Sequence, residues 1–415
     1  MSKEKHRLTK LFERARLAPF WRERLAKAGY AADLEPAEFS AVMRALPPLT
    51  RDDLLQHGPP HSLDMLTGPL EAAYVFRTGG TSGRPKFSLF SVGEFRAMTR
   101  PFLQAYRAAG LRPSDRVANL FVCNSLYASF IFVNRCLEEM GTLNFPYTMA
   151  APAELLASQW GLFGLNTVIG VPSHLLQVMP VIGPNRIEKV FYAGEHLHKE
   201  ARWRMQQEFG VKHIASGGYG AVDTGLMGYQ CERCQGAEHH VLSEHAWLEI
   251  VDPESWQPVE YGAEGLILVT CLDRFLMPIL RYSIGDLGRF MVEPCPCGRE
   301  EPRFELLRRG DDALRIGVIN VAYDEIQNAI GDAVGALQLV KERESGRDRL
   351  RIRLEPRAEL PDLAGLRQRI LTSKPDFAKI MEQGLIGELV LEMVPPGALA
   401  RSPLTGKLFR TEDRS

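Results

Sequence analysis

Nine residues near the front of the chain, Thr78-Gly79-Gly80-Thr81-Ser82-Gly83-Arg84-Pro85-Lys86, combine three glycines, three hydroxyls and a terminal lysine. Glycines let the backbone turn its N–H groups inward, while the hydroxyls and the Lys86 ammonium add further donors. That composition suits a pyrophosphate. No Gly-Lys-Ser/Thr closes the run, so it is not a Walker A loop, and a plain polar loop could carry the same residues.

Four other runs could carry chemistry. Tyr192-Ala193-Gly194-Glu195-His196 and Ser216-Gly217-Gly218-Tyr219-Gly220 each end an apolar stretch, the second followed by Ala221-Val222-Asp223. An aromatic flanked by glycines can stack on a flat ligand, and the Asp223 carboxylate offers hard oxygen to Mg²⁺. Arg281-Tyr282-Ser283-Ile284-Gly285-Asp286 sets a carboxylate after a glycine turn, where it could accept both hydroxyls of a ribose. Pro403-Leu404-Thr405-Gly406-Lys407 projects a lysine near the end of the chain. Taken singly, each is also an ordinary turn or a solvated charge.

The elements that must position these residues alternate through the middle of the chain. Strands are expected at Arg116–Val122, Thr142–Phe145, Thr167–Val171, Lys189–Tyr192 and Lys212–Ala215. Helices are expected between and after them, at Ala128–Met140, Ala153–Phe163, Ser173–Val181 (capped by Ser173) and Lys199–Phe209. Such alternation argues for a parallel sheet covered by helices, with ligands beyond the carboxyl ends of its strands. From about Val241 strands follow one another without helices, which predicts a β subdomain. Near the front, Leu8, Leu11, Phe12 and Ala15 follow helical spacing. A boundary is expected at Arg308–Asp312, giving domains 1–308 and 309–415. In the second domain Leu350, Ile352 and Leu354 alternate with arginines, as in a half-exposed strand. The fold class is therefore α/β, a large domain followed by a small α+β one.

Composition narrows the function. The chain has 415 residues, with 50 Lys+Arg against 51 Asp+Glu, so no basic excess argues for a nucleic-acid partner. The N-terminus lacks the apolar segment of a secretory signal. Two uncharged stretches, Val117–Asn134 and Leu155–Asn185, are interrupted by asparagines, serines, glycines or prolines, and no membrane span is expected. Of seven cysteines, Cys231/Cys234 and Cys295/Cys297 form two close pairs, which fits a reduced, cytoplasmic setting and a metal better than disulfides. Cys123, Cys136 and Cys271 read as core.

The order of these pieces resembles the adenylate-forming (ANL) superfamily, in its phenylacetate–CoA ligase-like branch, which also contains coenzyme F390 synthetase-like proteins. The resemblance rests on Leu46-Pro47-Pro48-Leu49-Thr50-Arg51-Asp52-Asp53-Leu54, the loop Thr78–Lys86, Arg281–Asp286, the hinge-like Arg309-Gly310-Asp311-Asp312, and Lys407. It implies that Thr78, Gly79, Gly80, Thr81, Ser82, Gly83 and Lys86 hold ATP phosphates. Gly194, Glu195 and His196 would border the adenine, Tyr219 and Gly220 would lie beside it with Tyr219 stacked, Asp223 would meet Mg²⁺, and Asp286 with Arg309 would bind the ribose. Lys407 would bridge the acid and the α-phosphate, carried by a small domain that swings about Asp311. Three departures stand out. Val222-Asp223 replaces the family's usual Thr-Glu. Val318, in Gly317-Val318-Ile319-Asn320, stands where the family has a glycine lining the pantetheine channel. Cys123–Phe130 replaces a Gly-rich aromatic stretch, with Tyr127 and Phe130 as acid-pocket candidates.

The resemblance implies ATP-dependent activation of an aromatic or small carboxylic acid to an acyl-adenylate, releasing pyrophosphate, then transfer to a thiol such as CoA. Val318 keeps an amine, a carrier protein or a cysteine in view as acceptor. A zinc-containing nucleotide-binding protein without catalysis is the other alternative. Proteins of this branch are often homodimers, and some carry zinc between segments matching the two cysteine pairs, often with a histidine ligand. Four thiolates, Cys231, Cys234, Cys295 and Cys297, are the preferred set here, in a β subdomain of about 228–305, with His240 next and His239 as a further alternative.

Overall fold

The computed structural model describes residues 2–31, 39–78, 86–123, 126–194, 197, 199–309, 313–316, 319–344, 347–357, 360–382, 384, 386–401 and 408–414. The chain divides into two compact units, one built from most of residues 1–307 and the other chiefly from Arg308–Ser415.

In the first unit five parallel strands pair in the order Leu143–Phe145, Arg116–Asn119, Thr167–Gly170, Lys189–Tyr192 and His213–Ser216. Successive side chains point to opposite faces. Val117, Ile169, Phe191 and Ala215 accordingly join a core with the helices Thr99–Ala108 and Ser129–Met140. Ala118, Val168 and Val190 join another with Ala153–Phe163 and Pro172–Ile182. The latter helix begins at Pro172 behind Val171, without a side-chain cap; proline's fixed φ suits the first turn, and Ser173 lies inside the helix.

A seven-stranded sheet runs Ala246–Val251, Gly265–Cys271, Tyr282–Phe290, Arg303–Arg309, Glu238–Val241, Gly225–Tyr229, Tyr219–Ala221. Leu11, Phe12 and Ala15 of the first helix pack in one core with Leu248, Ile267, Tyr282 and Phe304 of this sheet. Leu49 forms a parallel bridge to Tyr282, and the next residue, Thr50, starts the helix Arg51–His57 with a reciprocal cap on Asp53. The N-terminal motif is thus a lateral extension of the strand that carries the Arg281–Asp286 run.

In the second unit a four-stranded sheet pairs Val390–Met393, Arg347–Glu355, Ala336–Glu344 and Thr411–Asp413. Leu350, Ile352 and Leu354 enter a core with Ile326, Ile370 and Phe377 from three helices. On the alternating positions Arg349 and Arg351 pair with Glu342 at 2.6 and 2.9 Å. Among the described residues no helix is long and apolar enough to cross a membrane.

Candidate active site and metal centre

Two antiparallel strands, Ala73–Arg77 and Phe87–Ser91, bracket the glycine-rich run, ending in the pair Arg77–Phe87. One step further the Thr78 N–H donates to the Lys86 carbonyl at 2.9 Å, and the Lys86 N–H to Thr78 Oγ1 at 3.1 Å. The run is therefore the connection of a hairpin whose root is closed by its own first and last residues. Gly79, Gly80, Thr81, Ser82 and Gly83 lie outside the described residues.

From that root the Lys86 ammonium contacts both Asp223 Oδ2 and the Tyr282 hydroxyl. Ser88 Oγ donates to Asp223 Oδ1 at 2.9 Å, and the Tyr282 hydroxyl donates to Oδ2 at 3.3 Å. Asp223 is buried, in the turn joining Tyr219–Ala221 to Gly225–Tyr229. A buried carboxylate needs a counter-charge and hydrogen bonds on its remaining lone pairs, and this one has both. Ser88 and Tyr282 belong to this cluster although no local motif marks them as site residues. Strand alternation offered a signal for Ser88, which shares a face with Lys86 two positions away; Tyr282 sits inside the quoted Arg281–Asp286 run.

The parallel strands bring their carboxyl ends to one rim, with Gly170, Tyr192 and Ser216 in register. Gly194 follows there at φ +85°; Glu195 and His196 lie outside the described residues. Gly218 has φ +122°, and a Cβ on it would meet Leu226 Cδ1 at 2.1 Å, so this turn requires glycine. Gly220 lies in the strand Tyr219–Ala221. Tyr219 is only 8% exposed. Its ring packs edge-on to Phe304 at 5.6 Å and beside His239 at 6.2 Å, which leaves little open face for stacking.

Asp286 is buried within the strand Tyr282–Phe290 rather than in a loop; the expected glycine turn is a kink inside that strand, with Gly285 at φ +89°. Arg281, at φ +47°, is a tie: its guanidinium pairs with Glu249 at 3.1 Å and donates to the Leu46 carbonyl at 2.7 Å and the Trp256 carbonyl at 3.0 Å. Burial holds the Glu249 carboxyl above its usual range despite that pairing. Arg309 closes the strand Arg303–Arg309. Lys407, Gly310-Asp311-Asp312 and Gly317-Val318 lie outside the described residues.

The cysteine pairs meet. Cys231 Sγ lies 3.6 Å from Cys234 Sγ and 3.7 Å from Cys295 Sγ. A tetrahedral zinc with arms of about 2.3 Å sets its sulfurs about 3.8 Å apart, so the spacing fits. The four donors that lie within 4.8 Å of one another are Cys231, Cys234, Cys295 and His240. Cys297 Sγ sits 3.5 Å from His240 Nε2, at the edge of the group. His239 is engaged elsewhere, with Nδ1 on the Ala237 carbonyl at 2.8 Å and Nε2 on Ser216 Oγ at 3.2 Å; burial pushes its pKa down to about 4. Cys136 and Cys271 are core residues, but Cys123 is exposed, because its strand ends at Asn119 and the chain has left the sheet.

No family model matches the chain. It is 25% identical over 424 aligned positions to a phenylacetate–coenzyme A ligase of Thermus thermophilus, covering 95% of this chain and 92% of that protein. Its fold superimposes on 2-hydroxyisobutyryl-CoA ligase in the postadenylation state with a TM-score of 0.77, at 23% identity, covering 99% of this chain and 88% of that one. This is the adenylate-forming fold. Along nearly its whole length the chain resembles the phenylacetate–CoA ligase-like branch, as the motifs indicated. A further relative, the indoleacetate–lysine synthetase of Pseudomonas savastanoi, is 29% identical over 52% of this chain and 53% of its own length.

Proposed function

We propose that the protein is an adenylate-forming acid–thiol ligase. It joins a small or aromatic carboxylic acid to AMP from ATP and passes the acyl group to a thiol such as CoA. The observation that carries this reading is a glycine-rich hairpin connection whose terminal lysine is already aimed at a buried carboxylate, in a chain similar throughout to acyl-CoA ligases.

The acid is ionised at neutral pH, so the chain's work is positioning and charge neutralisation rather than proton removal. One carboxylate oxygen attacks the α-phosphorus, the bond to the leaving pyrophosphate breaks, and the thiol sulfur then displaces AMP from the acyl carbon. Thr78–Gly83 and Lys86 hold the phosphates, Asp286 with Arg309 the ribose, Gly194, Glu195, His196 and Gly220 the adenine border, and Lys407 the attacking and α-phosphate oxygens. Asp223 has the right oxygen chemistry for Mg²⁺, and the Lys86 ammonium beside it supports a preference for positive charge there. Mg²⁺ would be held by Asp223 once Lys86 turns to the phosphates, and would neutralise the leaving pyrophosphate. Cys231, Cys234, Cys295 and either His240 or Cys297 would hold a structural zinc. The net charge of −1 supports a small-molecule partner over nucleic acid, the cysteine chemistry a cytoplasmic setting, and the branch it resembles a homodimer.

An amine acceptor is the second reading, favoured by the similarity to indoleacetate–lysine synthetase. Acid-dependent ATP–pyrophosphate exchange across aromatic and small acids, with CoA or lysine added in turn, separates the two. Lys407→Ala should lower acid-dependent pyrophosphate release by about 10²–10³-fold, the usual cost of losing a transition-state charge partner, while ATP affinity stays within about threefold. Equal release by wild type and variant would remove Lys407 from the reaction.

A further inference from the structure

Behind Asp223 lie two buried cations that the reaction scheme does not use. Arg274 is fully buried. It donates to the Asp223 main-chain carbonyl and, at 2.7 Å, to the Leu89 carbonyl, with its guanidinium 3.9 Å over the Phe90 ring. Leu89 and Phe90 belong to the strand that starts just after Lys86 and carries Ser88. One guanidinium therefore joins the hairpin bearing the lysine to the turn bearing the carboxylate.

His245 is equally buried. Its Nε2 donates to the Thr224 carbonyl at 2.8 Å, and its Nδ1 lies 2.6 Å from Asp273 Oδ1. With Nε2 committed as a donor, a neutral ring would turn a lone pair on the carboxylate, so the imidazolium is the form that fits. The two cations grip consecutive carbonyls of one short turn. The Arg274 segment is fixed in turn by Glu94 Oε1, which accepts from the Phe275 N–H and, at 2.7 Å, from the Leu276 N–H. Three cations, Lys86, Arg274 and His245, balance three carboxylates, Asp223, Asp273 and Glu94.

A carboxylate on a side chain one methylene shorter than glutamate has less reach, so its backbone must be set more closely. We infer that Arg274 and His245 are positioning residues for Asp223: through the two carbonyls of its turn they fix where its carboxylate meets Lys86 and, on the nucleotide reading above, the metal-bearing end of the triphosphate. Groups that orient a metal's carboxylate ligand typically matter about 10–100-fold.

The test uses the full chain with Arg274→Lys, which reaches one carbonyl instead of two, and His245→Gln, which keeps a donor at the Nε2 position. Two measurements are made. The first is ATP affinity by calorimetry without acid, at low and high Mg²⁺. Wild type should bind more tightly with Mg²⁺, Arg274→Lys should lose about tenfold of that gain, and the loss should disappear in an Asp223→Asn background, because both changes act through one carboxylate. The second needs no nucleotide: the coupling between Lys86→Met and Asp223→Asn in urea unfolding should fall to less than about half in the Arg274→Lys chain. Folded variants that keep the wild-type coupling overturn the inference, and so does an Arg274→Lys loss of Mg²⁺-dependent affinity that persists undiminished beside Asp223→Asn. Absence of nucleotide binding by wild type, with the coupling still dependent on Arg274, overturns only the nucleotide reading.

Discussion

Two polar clusters hang on the same seven-stranded sheet and are finished in opposite ways. At the Asp223 turn the donors and acceptors are different kinds of group: an ammonium, a phenol, a hydroxyl and a carboxylate satisfy one another. At the cysteine pairs the groups are alike: three thiols and an imidazole face a common centre. The first cluster is complete as it stands, and on the proposed function Lys86 would exchange Asp223 for a phosphate. The second has no internal charge balance once its thiols ionise, and a resident cation would complete it. An exchangeable pair suits a reaction, and a closed shell of four soft donors suits a structural ion.

The sharpest way to break that contrast is to remove one member of the exchangeable pair. Lys86→Met leaves a buried carboxylate without its cation and should destabilise the chain by about 3–5 kcal/mol in urea unfolding. Adding Asp223→Asn should restore most of it, since a neutral pair needs no counter-charge. If the double variant is as unstable as the single one, the cluster is a packing feature rather than a charge pair.

Next in size is the metal. Purified chain should carry about one zinc per molecule, as a four-donor closed site requires, and chelation should lower the thermal transition because metal binding is linked to folding. Cys231→Ser, at the centre of the group, should lose the ion. The two ligand sets part on the remaining pair. If His240 is the fourth donor, His240→Ala loses zinc and Cys297→Ser keeps it; four thiolates would give the reverse. Zinc content by atomic emission reads either result, and full metal in Cys231→Ser would dissolve the comparison.

How much of this could be read in advance follows the range of the interactions. The central parallel strands Thr167–Gly170 and Lys189–Tyr192 were legible because each is a short, largely buried run between helical patterns. The half-exposed arginine strand was legible from alternation alone. What failed to show was long-range: Ser88 and Asp223 are 135 positions apart, Tyr282 and Asp223 59, and no local pattern encodes such a meeting. Asp286 was expected in a turn, because a left-handed glycine looks the same in sequence whether it bends a loop or kinks a strand. The cysteine pairs suggested a metal site without saying whether His240 or Cys297 would close its shell, since spacing fixes which residues are near and not which atoms point inward. Cys123 looked like core from its apolar neighbours, but the sheet ends before it.

The smallest expected effect concerns the rear support of the Asp223 turn, and its sign can be worked out. Burial alone would lower the His245 pKa, but the adjacent Asp273 carboxylate and the Thr224 carbonyl outweigh it, so the folded-state value lies above that of the unfolded chain. A raised histidine binds its proton more tightly when folded, so its contribution is fully present below the unfolded pKa of about 6.5 and is lost as pH rises through the folded value. His245 Nδ1 lies 2.6 Å from Asp273 Oδ1, so deprotonation would leave a lone pair opposing the carboxylate. Unfolding free energy should therefore decline as pH rises from about 6.5 through the raised folded value, by an amount smaller than the Lys86→Met effect. The decline should flatten in His245→Gln, whose amide does not titrate. A variant that keeps the wild-type pH slope would place the titration elsewhere and remove His245 from the charged groups whose ionisation stability follows.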